Sequence, residues 1–175
     1  MQALNPQEIL LPVKTGFIAF TVIAACLIDL LQFGGPWRWI RPDFAALVLL
    51  YWGVHQPRRI GFAVAWLIGL TMDVADASLF GQHALAYTGL MYAAIVLHRR
   101  VLSFSMASQV LQVAPLLLAT DFIMLLVRML MGAAFPGWSY FAGSLIGALL
   151  WAPISLAFRL PQIAKVDPDA GLHVP

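Results

Sequence analysis

The stretch from Arg41 to Arg100 most narrows what this chain can fold into. It reads R-P-D-F, then an apolar run closing on Tyr51-Trp52, then H-Q-P-R-R from His55 to Arg59. A second apolar run from Ile60 to Asp73 follows, then a short loop, G-Q-H-A-L-A-Y from Gly81 to Tyr87, and H-R-R from His98 to Arg100. Proline stops a helix and arginine anchors its end among headgroups, so apolar runs bracketed by both describe membrane hairpins, not a soluble core. Composition agrees. The chain is 62% hydrophobic and 10% charged, with a mean hydropathy of +0.87. A soluble domain averages roughly 45–50% apolar and about 25% charged. Soluble packing would therefore leave large apolar patches in water. At about 20 residues per span, a chain of this length holds at most about six spans.

Apolar runs and breakers place the spans. Span 1 covers about Thr15–Phe33 and is stopped by Gly34-Gly35-Pro36. Span 2 covers Asp43–Val54, between Pro42 and Pro57, with Pro42 as first helical residue and Asp43 in the first turn. Span 3 is Ile60–Val74, span 4 His83–Leu97, span 5 Ala107–Met131 and span 6 Tyr140–Phe158. Pro115 and Pro153 lie inside spans 5 and 6, where each removes a backbone donor. Spans 2 to 4 are short for a bilayer. Either the bilayer thins around them or longer neighbours shield their ends. A re-entrant pair of spans 2 and 3 would bury Arg58-Arg59 in lipid, which is costly. The fold class is thus an all-α polytopic membrane protein of about six transmembrane helices without a soluble domain. Residues 1–14 form a cytoplasmic segment, 15–158 the bundle and 159–175 a cytoplasmic tail.

The basic residues orient it. With a cytoplasmic N-terminus, Lys14, Arg58, Arg59, Arg99, Arg100, Arg159 and Lys165 fall inside, against Arg38 and Arg41 in outer loops. Both termini are then cytoplasmic, and Trp37, Trp39, Trp138 and Tyr140 form an outer aromatic belt. Ile23-Ala24-Ala25-Cys26 is a weak lipoprotein box, but the apolar run continues beyond it and five further spans follow, so cleavage is not expected. Cys26 is the sole cysteine and excludes an intrachain disulfide.

Ionisable groups inside a membrane pair with one another or line wet cavities. Asp29, Asp73 and Arg128 fall in the outer third of their spans, and Asp121 and Arg128, seven residues apart, share a face. The sequence predicts a buried polar cluster around Arg128 with Asp29 or Asp73 as its partner. That cluster reads as an ion pair fixing helix packing or as a proton or solute site, with Asp73 alternatively exposed at the interface. The histidines 55, 83, 98 and 173 have no metal-ligand spacing, and no serine has a nucleophile context, so no metal, cofactor or catalytic residue is expected. Phosphate-loop and nucleic-acid motifs are absent too. Gly61, Ala65 and Gly69 recur every four residues in span 3, as do Gly89 and Ala93 in span 4 and Gly143 and Gly147 in span 6. Such stripes serve internal packing or a partner equally. Span 6, with Ala142, Ser144 and Ala148 besides, is the first choice for a partner face. The arginine pairs set topology, with contact to anionic lipid or docking of a cytoplasmic filament as further roles.

Two functions suit this inventory: a scaffold that positions other membrane proteins, and a substrate-capture subunit of a small-molecule, vitamin-type transporter. A resemblance favours the first. A proline opening a short span (Pro42), Tyr51-Trp52 closing it, Pro57 and Arg59 in the turn, then Gly69, Asp73 and Gly81 in order, resemble the rod shape-determining membrane protein family MreD. The resemblance implies a non-enzymatic inner-membrane scaffold of the machinery that synthesises lateral peptidoglycan and maintains rod shape. It implies MreC as the direct partner, RodA and an elongation penicillin-binding protein as further partners, and MreB on the cytoplasmic side. It also implies a six-helix arrangement shared with vitamin-capture subunits, and it gives the pattern residues no catalytic role.

Overall fold

The computed structural model describes residues 13–31 and 41–160. The Gly34-Gly35-Pro36 stop, Trp37, Arg38 and Trp39, and the tail with Lys165 and His173 lie outside the described residues. Among those described there are six α-helices and no strand. They are α1 (Thr15–Leu30), α2 (Phe44–His55), α3 (Phe62–Ala75), α4 (Gln82–Leu102), α5 (Met106–Leu130) and α6 (Ala142–Arg159), the last entered through a 3₁₀ turn at Trp138–Phe141.

Helix ends shift by up to five residues from expectation, α1 ending at Leu30 and α3 starting at Phe62 among them, and three shifts have local causes. Asp43 is the N-cap of α2 and not part of its first turn: its side chain accepts from Ala46 N at 2.7 Å, and Pro42 precedes the cap. An aspartate oxygen bonds a free first-turn N–H better from outside the helix than within it. Span 4 continues to Leu102, through His98, Arg99 and Arg100. Those residues end the apolar run but suit a helix, since arginine has high helix propensity and a cation is stabilised at a C-terminus. Helix α6 begins at Ala142, because Trp138–Phe141 winds as the tighter turn. Pro115 and Pro153 sit within otherwise continuous helices.

The helices form three antiparallel hairpins, α1–α2, α3–α4 and α5–α6. Odd helices run one way and even helices the other. Helix α2 is central, packing against α1, α4 and α6 and touching α5. Its sequence, F-A-A-L-V-L-L-Y-W-G-V-H, has no polar face, and every residue from Ala45 to Val54 is buried. A helix apolar all round belongs inside a bundle. Burial also explains its length. Its 12 residues rise roughly 18 Å, whereas the 21 of α4 and the 25 of α5 rise roughly 31 and 37 Å and shield both its ends. Helices α1 and α3 are peripheral, and each buries one stripe.

Close packing holds helices together in lipid, where apolar transfer contributes little. Gly53 lets α2 meet α4: a Cβ there would lie 2.8 Å from Met91 Sδ and 2.9 Å from Ala94 Cβ. The opposite half of α2 builds an aromatic core. Trp52 stacks on Phe158 of α6 with ring centroids 5.7 Å apart, and Phe17 of α1 meets Trp52 edge-on at 6.0 Å. Tyr51 lies between Phe158 and Trp151 at 5.0 and 5.8 Å. Both buried indoles have acceptors: Trp52 Nε1 donates to Thr21 Oγ1 at 2.9 Å and Trp151 Nε1 to Gln109 Oε1 at 3.1 Å.

Candidate functional site

A helix starting inside a bundle leaves its first N–H groups without intrahelical partners, and hydrocarbon offers none. The first two hairpins meet this need alike, an aspartate near the end of the odd helix accepting from N–H groups at the start of the even one. In the third, an aspartate within the odd helix accepts from a first-turn serine hydroxyl.

In the first hairpin Asp29 of α1 accepts from Phe44 N at 3.2 Å and Ala45 N at 2.7 Å, beside the Asp43 cap on Ala46 N. Two carboxylates from different helices thus satisfy the first three N–H groups of α2. Arg41 balances one of them. Its Nη2 lies 3.3 Å from Asp29 Oδ1, and its guanidinium also bonds the carbonyls of Ile28, Asp29 and Leu31 at the end of α1. One arginine therefore joins the C-terminal end of α1 to the N-terminal end of α2. Tyr87 of α4 donates to both oxygens of Asp43, at 2.8 and 3.0 Å. Tyr87→Phe is expected to remove that charge-assisted bond and lower stability by about 2 kcal/mol, measured as a lower thermal midpoint of the purified protein with oligomeric state unchanged.

In the second hairpin Asp73 of α3 is the hub. It accepts from Gly81 N at 2.7 Å, His83 N at 2.8 Å and Ser78 Oγ at 3.0 Å, and it contacts His83 Nδ1 at 2.8 Å. Gly81 precedes α4 with φ +95°, a left-handed conformation that glycine adopts without strain. Asp76 stands 3.9 Å from His83 Nε2. Ser78, His83 and Asp73 do not form a proton relay. The serine, at 3.3 Å, and the aspartate both face His83 Nδ1, whereas a relay needs them on opposite ring nitrogens.

In the third hairpin Ser144, in the first turn of α6, donates to Asp121 of α5. Arg128 is exposed and lies beside Tyr140. The predicted cluster is therefore distributed: Asp29 pairs with Arg41, Asp73 with His83 and Asp121 with Ser144, and neither Asp29 nor Asp73 takes Arg128 as its partner. Each helix-start donor lies closer to its own hairpin's aspartate than Arg128 does. Asp73 is buried, with 1% of its surface exposed, not an interface residue. Arg41, Asp43, Ser78, His83, Tyr87 and Ser144 are the members that sequence reasoning missed as site residues. Only Asp43 carried a signal, as an aspartate immediately before an apolar run.

The predicted packing stripes turn inward. A Cβ on Gly69 would lie 2.3 Å from Ala84 Cα, and one on Gly143 2.3 Å from Arg41 O. One on Gly147 would meet Leu117 Cδ1 at 3.2 Å, and Ala65 is fully buried. Gly61 is the N-cap of α3 with open space around it. Gly143, Ser144, Gly147 and Ala148 of α6 are buried within the chain, against α5 and the start of α2. Among the described residues no group of three or more histidines, cysteines or carboxylates is placed to hold a metal.

The eight motif positions lie at contacts between helices or in the turns that join them. Pro42 precedes the α2 cap against Gly143 and Gly147. Tyr51 and Trp52 form the aromatic core. Pro57 lies in the α2–α3 turn, where Arg59 reaches back to Val13 O at 2.5 Å. Gly69, Asp73 and Gly81 bring α3 onto α4. A family model of the rod shape-determining protein MreD matches residues 11–160, a span holding all eight. The chain belongs to the MreD family. It is also similar to the rod shape-determining protein MreD of Haemophilus influenzae, 28% identical over 166 residues that cover 91% of this chain and 99% of that protein. No solved structure matches. Both matches carry the description rod shape-determining protein, and they leave the transporter-subunit alternative without support. As expected for this family, α5 and the segment Trp138–Arg159 are each long and apolar enough to cross a membrane.

Proposed function

We propose that this chain is a six-span inner-membrane scaffold of the machinery that builds the lateral cell wall, required for rod shape. The observation that carries the reading is the match to rod shape-determining MreD over residues 11–160. The side-chain chemistry supports it: the motif residues join helices to one another and hold a rigid bundle in register. Odd and even helices alternate in direction, and Lys14, Arg58, Arg59, Arg99, Arg100 and Arg159 share one end. That charge bias supports six crossings with this end and both termini in the cytoplasm. The shielding of α2 by its longer neighbours supports a full crossing for the α2–α3 hairpin. MreC is the direct partner in this reading, with RodA and an elongation penicillin-binding protein beside it. MreB lies on the basic side, in direct or indirect contact.

Depletion in the rod-shaped host tests this. Cells are expected to round and to stop incorporating labelled wall precursor along the side wall, with rescue by the intact chain. Cells that stay rod-shaped but require an added vitamin would defeat the scaffold reading.

A further inference from the structure

The two ends of the bundle differ in charge. Among the described residues all five carboxylates, Asp29, Asp43, Asp73, Asp76 and Asp121, belong to the network at the starts of the even helices or its flanking loop. The opposite end carries Lys14, Arg58, Arg59, Arg99, Arg100 and Arg159, and no described carboxylate lies there. Helices α2 and α4 run in the same direction, with Gly53 against Met91 and Ala94. Arg58 follows the C-terminal end of α2 and Arg99 and Arg100 lie in the last turn of α4, so both arginine pairs fall at the same end of the bundle. Arg59 is engaged, donating to Val13 O and to Thr15 Oγ1 at 3.4 Å. Arg58, Arg99 and Arg100 are exposed and have no ion pair among the described residues.

The surroundings of these three indicate what they meet. Exposed Phe62 and Val64 of α3 and Tyr92 and Val96 of α4 lie on the bundle side of the arginines, and exposed Leu102 follows them. The rings of Phe62 and Tyr92 stack at 6.4 Å. A guanidinium set beside exposed apolar side chains suits the boundary of headgroup and acyl chain, where one ligand offers both phosphate and hydrocarbon. An acidic protein segment would match the charges and leave the apolar flank without a counterpart. We propose that Arg58, Arg99 and Arg100 form a binding site for the phosphate of an anionic phospholipid headgroup, with its acyl chains along the exposed faces of α3 and α4. Guanidinium–phosphate pairing is charge-assisted and frequently bidentate, and it relieves repulsion among three unpaired cations.

The test uses the purified full chain and is independent of cell shape. Native mass spectrometry after equilibration with equal phosphatidylglycerol and phosphatidylethanolamine reads the preference of the intact protein for the anionic lipid. A clear preference that weakens with salt is expected. R58Q is expected to lower it about fivefold, and R58Q/R99Q/R100Q on the order of a hundredfold. R128Q at the other end keeps the preference, and an unchanged thermal midpoint shows that each variant is folded. Equal retention of the two lipids by the intact protein overturns the proposal without any variant. So does a folded triple variant that keeps the preference, and so does a polyglutamate peptide that displaces no lipid while binding the same arginines.

Discussion

Gly69→Ala is expected to separate α3 from α4 and give a large loss of stability. The new Cβ would lie 2.3 Å from Ala84 Cα, 2.5 Å from Ala84 N and 2.7 Å from His83 C. All three are backbone atoms, so no rotamer change relieves the overlap, and one helix must move away. The movement carries Asp73 away from Gly81, His83 and Ala84, whose N–H groups it holds at 2.7, 2.8 and 3.5 Å. Overpacking a tight site costs about 3 kcal/mol at the upper end of the usual range, and lost capping adds to it. The measurement is the thermal midpoint and monodispersity of the purified protein, beside Gly16→Ala as control. Gly16 sits in the first turn of α1 with nothing within 4 Å of its Cβ position, so that change should be neutral or slightly stabilising. A wild-type midpoint for Gly69→Ala would show that the α3–α4 contact is looser than described.

Asp29→Ala should rank beside it. The carboxylate is nearly fully buried and serves Phe44 N, Ala45 N and the Arg41 guanidinium. Its removal leaves two buried helix-start donors without their acceptor and takes the carboxylate from Arg41, which keeps only backbone carbonyls. Each buried donor left unsatisfied costs about 1–3 kcal/mol, and loss of the partly exposed ion pair adds less. Asp29→Asn keeps one oxygen acceptor and loses the charge, so its loss should fall between wild type and alanine. Asp76→Ala, on a partly exposed side chain with only a 3.9 Å approach to His83, should stay within about 0.5 kcal/mol. Folded yield and thermal midpoint in neutral detergent measure all three. If Asp29→Ala and Asp76→Ala behave alike, Asp29 does not hold the α1–α2 junction.

Much of the frame was legible in the residues. Apolar runs and proline breakers placed every helix to within a few residues, and the misplaced ends have local causes. The arginines of α4 extend a helix that hydropathy alone would stop, and the cap at Asp43 shifts the start of α2 by one residue. Even the central place of α2 was implicit, since a helix without a polar face must be covered on every side. The polar network was legible only as an inventory. Asp29, Asp73 and Asp121 stood out as carboxylates inside apolar runs, but their partners did not. Arg41 lies twelve residues after Asp29 and Tyr87 forty-four after Asp43, and no local pattern joins such pairs. Gly143 and Gly147 show the same limit, since a small-residue stripe indicates close approach without saying to what.

The sequence by itself determined that this chain forms apolar helical hairpins, where the chain turns, which end is basic and which family it resembles. These follow from short-range chemistry: side-chain hydropathy, proline's missing donor, and the paired arginines. Only the tertiary structure decided that each aspartate serves the start of the next helix, that Arg41 rather than Arg128 answers Asp29, and that the small residues of α6 face inward. The physical reason is that a buried polar group must be satisfied by whichever donor the packing brings within about 3 Å, and packing depends on all six helices at once.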